Sequence, residues 1–78
     1  MGKSIHSPHH QKLRELLIAA RKRAKLTQAE VAERLGRPQS FVAKYEGGER
    51  RLDVVELIQV ARAVNADPAR LVRAVAAV

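Results

Sequence analysis

The side chains with the clearest chemistry lie between Pro38 and Glu46, where Gln39, Phe41 and Lys44 are predicted to project outward from one short helix. A glutamine amide can bond both polar atoms of an adenine edge, and a lysine ammonium can donate to O6 or N7 of guanine. An apolar ring can pack on the methyl group of thymine, which would explain a phenylalanine on an outward face. The segment therefore carries the side-chain types that are needed to read a nucleic-acid sequence.

The overall charge agrees with a polyanionic partner. Fifteen Lys and Arg residues against eight Asp and Glu residues give a formal net charge of +7, and most of the excess lies in the first third of the chain. Such a charge attracts the phosphate backbone of nucleic acids. Taken alone, it is equally consistent with a basic, solvated helix surface that only maintains solubility.

Other chemistries find little support in the sequence. The chain has no cysteine, which excludes disulfides, thiolate metal sites and thiol nucleophiles. His6, His9 and His10 have no nearby carboxylate to complete a metal site, and Ser4 and Ser40 have no base to activate them. We therefore expect no enzyme, no metal and no cofactor. No apolar leader and no run of about 20 apolar residues is present, so a cytoplasmic protein is expected.

The positions of apolar residues predict an all-α fold in one domain, since a chain of 78 residues supports a single core. Residues 1–8 lack periodicity and are predicted to form a flexible basic arm, which leaves residues 9–78 as the folded domain. Helix 1 is expected to begin where the apolar spacing starts, at Leu13, and to end near Lys25.

Helix 2 is predicted at about residues 28–35. Thr27 and Glu30 have the spacing of a capping box, in which each side chain bonds the backbone amide of the other residue. Gly36 follows and can adopt the left-handed conformation that ends a helix.

Helix 3 is predicted at about residues 38–46, with Pro38 in its first turn and a stop at the glycine pair that follows Glu46. Val42 and Tyr45 form its inward pair, which leaves five side chains partly or wholly outward, namely Gln39, Ser40, Phe41, Ala43 and Lys44. An outward position is expected for Phe41, and the alternative is a core position on a helix that is rotated further.

Two more helices complete the five. Asp53 is predicted to cap helix 4, with Glu56 on the side opposite its apolar stripe. Asp67 and Pro68 start helix 5. The stripe of helix 5 continues through Val75 to the end of the chain, and such an apolar surface either packs within the core or forms an interface between two copies.

Helices 2 and 3 have the features of a helix-turn-helix unit, in which two short helices meet across a tight turn. Ala32 allows their backbones to approach, and Gly36 forms the turn. The surrounding apolar residues would hold helix 3 so that its polar face projects from the domain.

From Leu13 to about Leu71 the chain resembles the lambda-repressor and Cro-like helix-turn-helix proteins, the xenobiotic-response-element type. The resemblance implies a five-helix DNA-binding domain. It rests on an ordered set of motifs, which are Leu26-Thr27-Gln28-Ala29-Glu30-Val31-Ala32, Leu35-Gly36-Arg37-Pro38-Gln39-Ser40, Tyr45-Glu46-Gly47-Gly48-Glu49-Arg50-Arg51 and the run of residues 63–68.

The resemblance also implies a role for individual positions. The base-reading residues would be Gln39, Ser40, Phe41, Ala43 and Lys44. Phosphate contacts would come from Gln28, Arg50 and Arg51. Arg37 departs from the family pattern, which often has an apolar residue at this turn position, so either the turn is more exposed or Arg37 adds a further phosphate contact. Gln28 would also brace the first residue of helix 3. Arg21 and Glu46 match a partly buried ion pair that ties helix 1 to the end of helix 3.

The resulting hypothesis is a sequence-specific transcription regulator that binds double-stranded DNA, acts as a repressor by occupying an operator, and forms a homodimer through helix 5. Three alternatives remain open. The chain could be an antitoxin-like autoregulator with a protein partner, a protein-interaction module that does not bind DNA specifically, or an architectural protein that coats DNA without sequence preference.

Overall fold

The computed structural model describes residues 7–78, and this part of the chain contains five α helices and no strand, which confirms the predicted all-α fold. The helices are α1 (Pro8–Arg23), α2 (Gln28–Leu35), α3 (Gln39–Glu46), α4 (Val54–Ala63) and α5 (Pro68–Ala76).

Helix α1 begins earlier than the apolar spacing predicted. The Ser7 hydroxyl accepts a hydrogen bond from the amide of His10 at 3.2 Å, and Pro8 occupies the first helical position. A serine cap followed by proline favours a helix start, and this local signal outweighs the missing apolar residues in the first turn. Ser7 and Pro8 thus belong to α1 and not to the predicted arm. Residues 1–6 of that arm lie outside the described residues.

Helix α2 has the predicted bounds and ends. The Thr27 hydroxyl accepts from the Glu30 amide at 3.1 Å, and the Glu30 carboxylate accepts from the Thr27 amide at 2.8 Å. Gly36 ends the helix with φ at 68°, a left-handed conformation that glycine adopts without strain. The turn to α3 is therefore set by local chemistry.

The remaining helix starts differ in their caps. Pro38 precedes α3 as its N-cap in an extended conformation, so this helix starts at Gln39, one residue later than predicted. Asp53 caps α4 and forms a second capping box with Glu56, whereas the Asp67 carboxylate caps α5 by accepting from the Ala69 amide.

The core is built from branched aliphatic side chains around one tyrosine. Its fully buried members are Leu17, Val31, Val42, Tyr45, Val60 and Val64. Helices α2 and α3 pack against each other, α1 supports α3, and α4 supports α2. Helix α5 packs on α1 and α4 and contributes Leu71 to the core. This arrangement leaves one long face of α3 outside the domain.

Candidate nucleic-acid interface

Helix α3 separates its side chains into two faces. Val42 and Tyr45 are buried against the other helices. The opposite face exposes Gln39, Ser40, Ala43 and Lys44. Within residues 7–78, none of these four side chains makes a hydrogen bond or an ion pair. Their polar groups are therefore available to an external partner.

Phe41 does not belong to that exposed face, and its predicted outward orientation is wrong. Its side chain is buried, with 7% exposure, and its ring meets the Tyr45 ring edge-to-face at 5.5 Å between centroids. The prediction assigned only two inward positions to α3, whereas Tyr45 and the guanidiniums of Arg37 and Arg50 also cover the ring at position 41. A ring enclosed in this way is not placed to contact a thymine methyl, so we remove Phe41 from the base-reading set.

Two arginines from outside α3 cover the Phe41 ring. The guanidinium carbon of Arg37, in the turn before α3, lies 4.3 Å from the ring centroid, and that of Arg50, in the loop after α3, lies 4.8 Å away. Both distances fall within the range of cation–π attraction. Two of the four predicted phosphate-contacting residues therefore lie beside the first half of the helix.

Both arginines also bind one carboxylate, that of Glu56 on α4. Arg37 Nη2 lies 3.2 Å and Arg50 Nη2 lies 2.9 Å from Glu56 Oε2, while Arg50 Nη1 donates to Oε1 at 3.0 Å. The Glu56 carboxylate accepts a further bond from the Asp53 amide at 3.1 Å. The hydrogen bonds from Arg50 and from this amide lower the Glu56 pKa to about 2.

Sequence reasoning placed Glu56 on the outer side of helix 4, and the structure shows it buried instead, with 9% exposure. Glu56 follows Asp53 by three residues, the same spacing as in the capping box of Thr27 and Glu30. This spacing could have predicted that the Glu56 carboxylate turns back toward Asp53. The apolar stripe alone cannot reveal a carboxylate that turns back toward the start of its own helix.

Arg21 and Glu46 come together as an ion pair beneath α3. Arg21 Nε lies 2.7 Å from Glu46 Oε2, and the two side chains are 14% and 6% exposed. Its hydrogen bond to Glu46 raises the Arg21 pKa above the ordinary arginine value. Arg21 also donates to the Leu26 carbonyl at 2.9 Å, so one guanidinium joins α1, the loop before α2 and the end of α3.

Gln28 takes part in the same cluster. Its amide nitrogen donates to Glu46 Oε1 at 2.9 Å, and the residue is half-buried. The resemblance implied a brace at the first residue of helix 3, but the observed contact is with the last residue of α3. This difference follows from the packing of the start of α2 beside the end of α3.

Arg51 lies in the loop after α3, close to the first turn of α1. Burial lowers the His10 pKa, and the positive charges of Arg51 and Arg14 lower it further. Arg51 itself is exposed. Arg51 therefore adds positive charge beside the first turn of α1.

The histidines that were weighed as metal ligands in the sequence do not gather into a site in the part of the chain that is described. His9 and His10 lie in the first turn of α1, and His6 falls outside that part. From Ser7 onward, no group of three or more histidine, aspartate or glutamate residues could hold a metal ion. None of the five helices combines the length and apolar character needed to cross a membrane.

Comparisons with known proteins identify the family. A helix-turn-helix domain model matches residues 12–74. The fold is similar to that of an XRE-family like protein from Pseudomonas syringae pv. tomato str. DC3000, with a TM-score of 0.88 and 49% sequence identity over 96% of this chain and 92% of that chain. No curated protein matches the sequence. The chain therefore belongs to the XRE/lambda-repressor-like family of helix-turn-helix DNA-binding regulators.

Proposed function

We propose that this protein is a sequence-specific transcription regulator that binds operator DNA as a homodimer and represses by occupancy. The observation that carries the proposal is the exposed face of α3, whose side chains have no partner among residues 7–78. A rigid helix with free polar groups is what major-groove readout requires.

Four side chains on that face would supply the base contacts. Gln39 and Ser40 lie in the first turn of α3, the part of a recognition helix that enters the major groove most deeply. Lys44 lies one turn farther along and is the only basic side chain of α3. Ala43 would contribute a methyl contact. Readout would then depend mainly on neutral polar groups, with a single lysine for guanine.

The phosphate contacts would come from residues on either side of α3. Arg51, Arg37 and Arg50 flank the helix, and Gln28 lies at the start of α2. Contacts of this kind position a protein on the duplex and supply affinity without sequence information.

The proposed dimer would use the apolar groove between α1, α4 and α5. Its lining residues are Leu13, Leu57, Val72, Val75 and Ala76. Val72 and Val78 are both 53% exposed, so α5 leaves apolar surface uncovered in the single chain. A second copy is the occupant that we propose, since a two-fold axis through α5 would pair two recognition helices on one face of the duplex. Operator occupancy requires only such a dimer and its DNA-binding face.

Selection of bound duplexes from a random pool tests the proposal. We expect a palindromic consensus with half-site centres about one helical turn, roughly 34 Å, apart. Binding to that site should exceed binding to random duplex by about 10³ or more. An architectural protein would enrich no consensus and show a steep salt dependence, and an interaction module would retain no duplex. Either result would contradict the proposed function.

A further inference from the structure

We propose that Glu56 is a positioning residue for DNA binding, whose carboxylate holds Arg37 and Arg50 as a fixed pair of phosphate donors beside the recognition helix. This inference rests on the proposed function, and it assigns a role to a residue that lies on α4, outside the helix-turn-helix unit.

Side chains from four chain segments meet in one cluster around Glu56. Arg37 comes from the turn before α3, Phe41 from α3, Arg50 from the following loop and Glu56 from α4. Glu56 Oε2 lies 3.2 Å from Arg37 Nη2 and 2.9 Å from Arg50 Nη2. Because the same two guanidiniums also lie over the Phe41 ring, each is restrained both by the carboxylate and by the aromatic surface.

Binding to Glu56 leaves hydrogen-bond donors of both arginines unused. A guanidinium has five N–H donors, and Arg37 reaches Glu56 through only one of its nitrogens. The side chains of Arg37 and Arg50 are 38% and 37% exposed. The Glu56 carboxylate carries a single negative charge and cannot by itself neutralise both arginines. The unused guanidinium donors suit a phosphate of the DNA backbone.

Glu56 stays ionised under the conditions of DNA binding. Its pKa of about 2 keeps the carboxylate ionised at any pH at which DNA binding would be measured. The two arginines are thus held before DNA arrives. A long side chain that is already ordered loses less conformational entropy on binding than a free one, and this difference favours association.

The proposal predicts a change in DNA affinity opposite to the change that net charge alone would cause. Removing a negative charge near the DNA-binding face should strengthen binding if only net charge matters. Removing the Glu56 carboxylate should instead weaken binding, because Arg37 and Arg50 are released. Glu49 provides the matched control, since it is an exposed carboxylate in the loop next to Arg50, and its side chain makes no hydrogen bond or ion pair within residues 7–78.

The experiment compares Glu56→Gln and Glu49→Gln with the wild-type chain by fluorescence anisotropy on the selected duplex over a series of salt concentrations. We expect Glu56→Gln to weaken binding about 10-fold and Glu49→Gln to leave it equal or slightly stronger. The slope of log K against log salt is negative, and its magnitude should decrease by about 1 to 2 in Glu56→Gln alone, because fewer phosphates are neutralised. If Glu56→Gln only destabilised the fold and did not release Arg37 and Arg50, this slope would stay the same.

A second variant covers the case in which Glu56→Gln does not fold. Arg37→Lys combined with Arg50→Lys keeps both charges but removes the planar fork that Glu56 and Phe41 hold, so we expect a similar loss of affinity. The inference is overturned if wild-type protein binds its site while Glu56→Gln, or the double lysine variant, binds equally well or better. Wild-type protein that binds no duplex would overturn the proposed function itself.

Discussion

Arg21 and Glu46, 25 positions apart, are joined by two parallel hydrogen bonds, from Nε to Oε2 at 2.7 Å and from Nη2 to Oε1 at 3.1 Å. The pair is largely shielded from water, and it connects the last turn of α1 with the last residue of α3. The short α3 is thereby fixed at its end by a charged contact, while its buried face fixes it along its length.

Replacing Glu46 by alanine should destabilise the fold by about 3–5 kcal/mol, because Arg21 would remain buried without a counter-charge. For a domain of this size, the midpoint of thermal unfolding would fall by more than about 10 °C. Circular dichroism during heating measures the change. Glu49→Ala, at an exposed site, should alter the midpoint little, and an equal fall in both variants would contradict the structural role of the pair.

Replacing Phe41 by leucine should lower the free energy of unfolding by about 2 kcal/mol, through loss of the edge-to-face contact with Tyr45 and the cation–π contacts with Arg37 and Arg50. The DNA consensus should not change, since the ring is buried. Urea unfolding and duplex selection on the same variant separate the two effects. An altered preference at one base position, with unaltered stability, would show that the ring does reach DNA.

Replacing Gln39 or Lys44 by alanine should relax the preference at one base position by about 1–3 kcal/mol in each case. Arg51→Ala should weaken binding to all sequences about equally, since a phosphate contact does not distinguish bases. Competition binding against a set of singly substituted duplexes measures both patterns. Unchanged base preferences in the Gln39 and Lys44 variants would show that another surface reads the sequence.

Acid should remove the stabilisation that Glu56 provides. The Glu56 pKa is about 2 in the folded chain and near 4.5 when the group is unperturbed, so protons bind the unfolded state first as the pH falls. The contribution is complete above about pH 5 and disappears as the pH approaches 2. The stability difference between wild-type protein and Glu56→Gln, measured by urea unfolding, should shrink over this range. A difference that stays constant to pH 2 would show that the carboxylate is not held by these contacts.

Introducing a charge at Val72 should prevent self-association if α5 forms the dimer interface. Val72→Glu is expected to sediment as a monomer and to bind the palindromic site more weakly than wild-type protein. Ala77→Glu adds the same charge at an exposed position that does not line the groove, and it should remain dimeric. Wild-type protein that sediments as a monomer at high micromolar concentration would contradict the dimer and favour a different protein in the groove.

Local signals predicted most of the fold. The capping box of Thr27 and Glu30 and the left-handed Gly36 lie within a few residues of each other, and their conformations follow from backbone chemistry alone. The start of α1 was predicted too late because apolar periodicity was given more weight than the cap at Ser7. Errors of this kind shift the predicted ends of a helix but leave the prediction of the helix itself intact.

The surroundings of α3 were harder to predict because they depend on contacts between distant segments. Phe41 was assigned outward from the period of one helix, but the arginines that cover its ring come from neighbouring loops. Glu56 was likewise assigned to the surface from the apolar period of helix 4 alone. A helical pattern gives the direction of a side chain relative to its own helix axis, and tertiary packing determines what lies in that direction.

The separation of buried and exposed side chains in α3 affects how the sequences of such proteins can diverge. The side chains that hold the helix, Val42, Tyr45 and Glu46, are separate from the four on its outer face, and those four make no bond on which residues 7–78 depend. Exchanging the outer side chains leaves the interior intact. A lineage with this architecture can acquire new target sequences through surface substitutions, without passing through unstable intermediates.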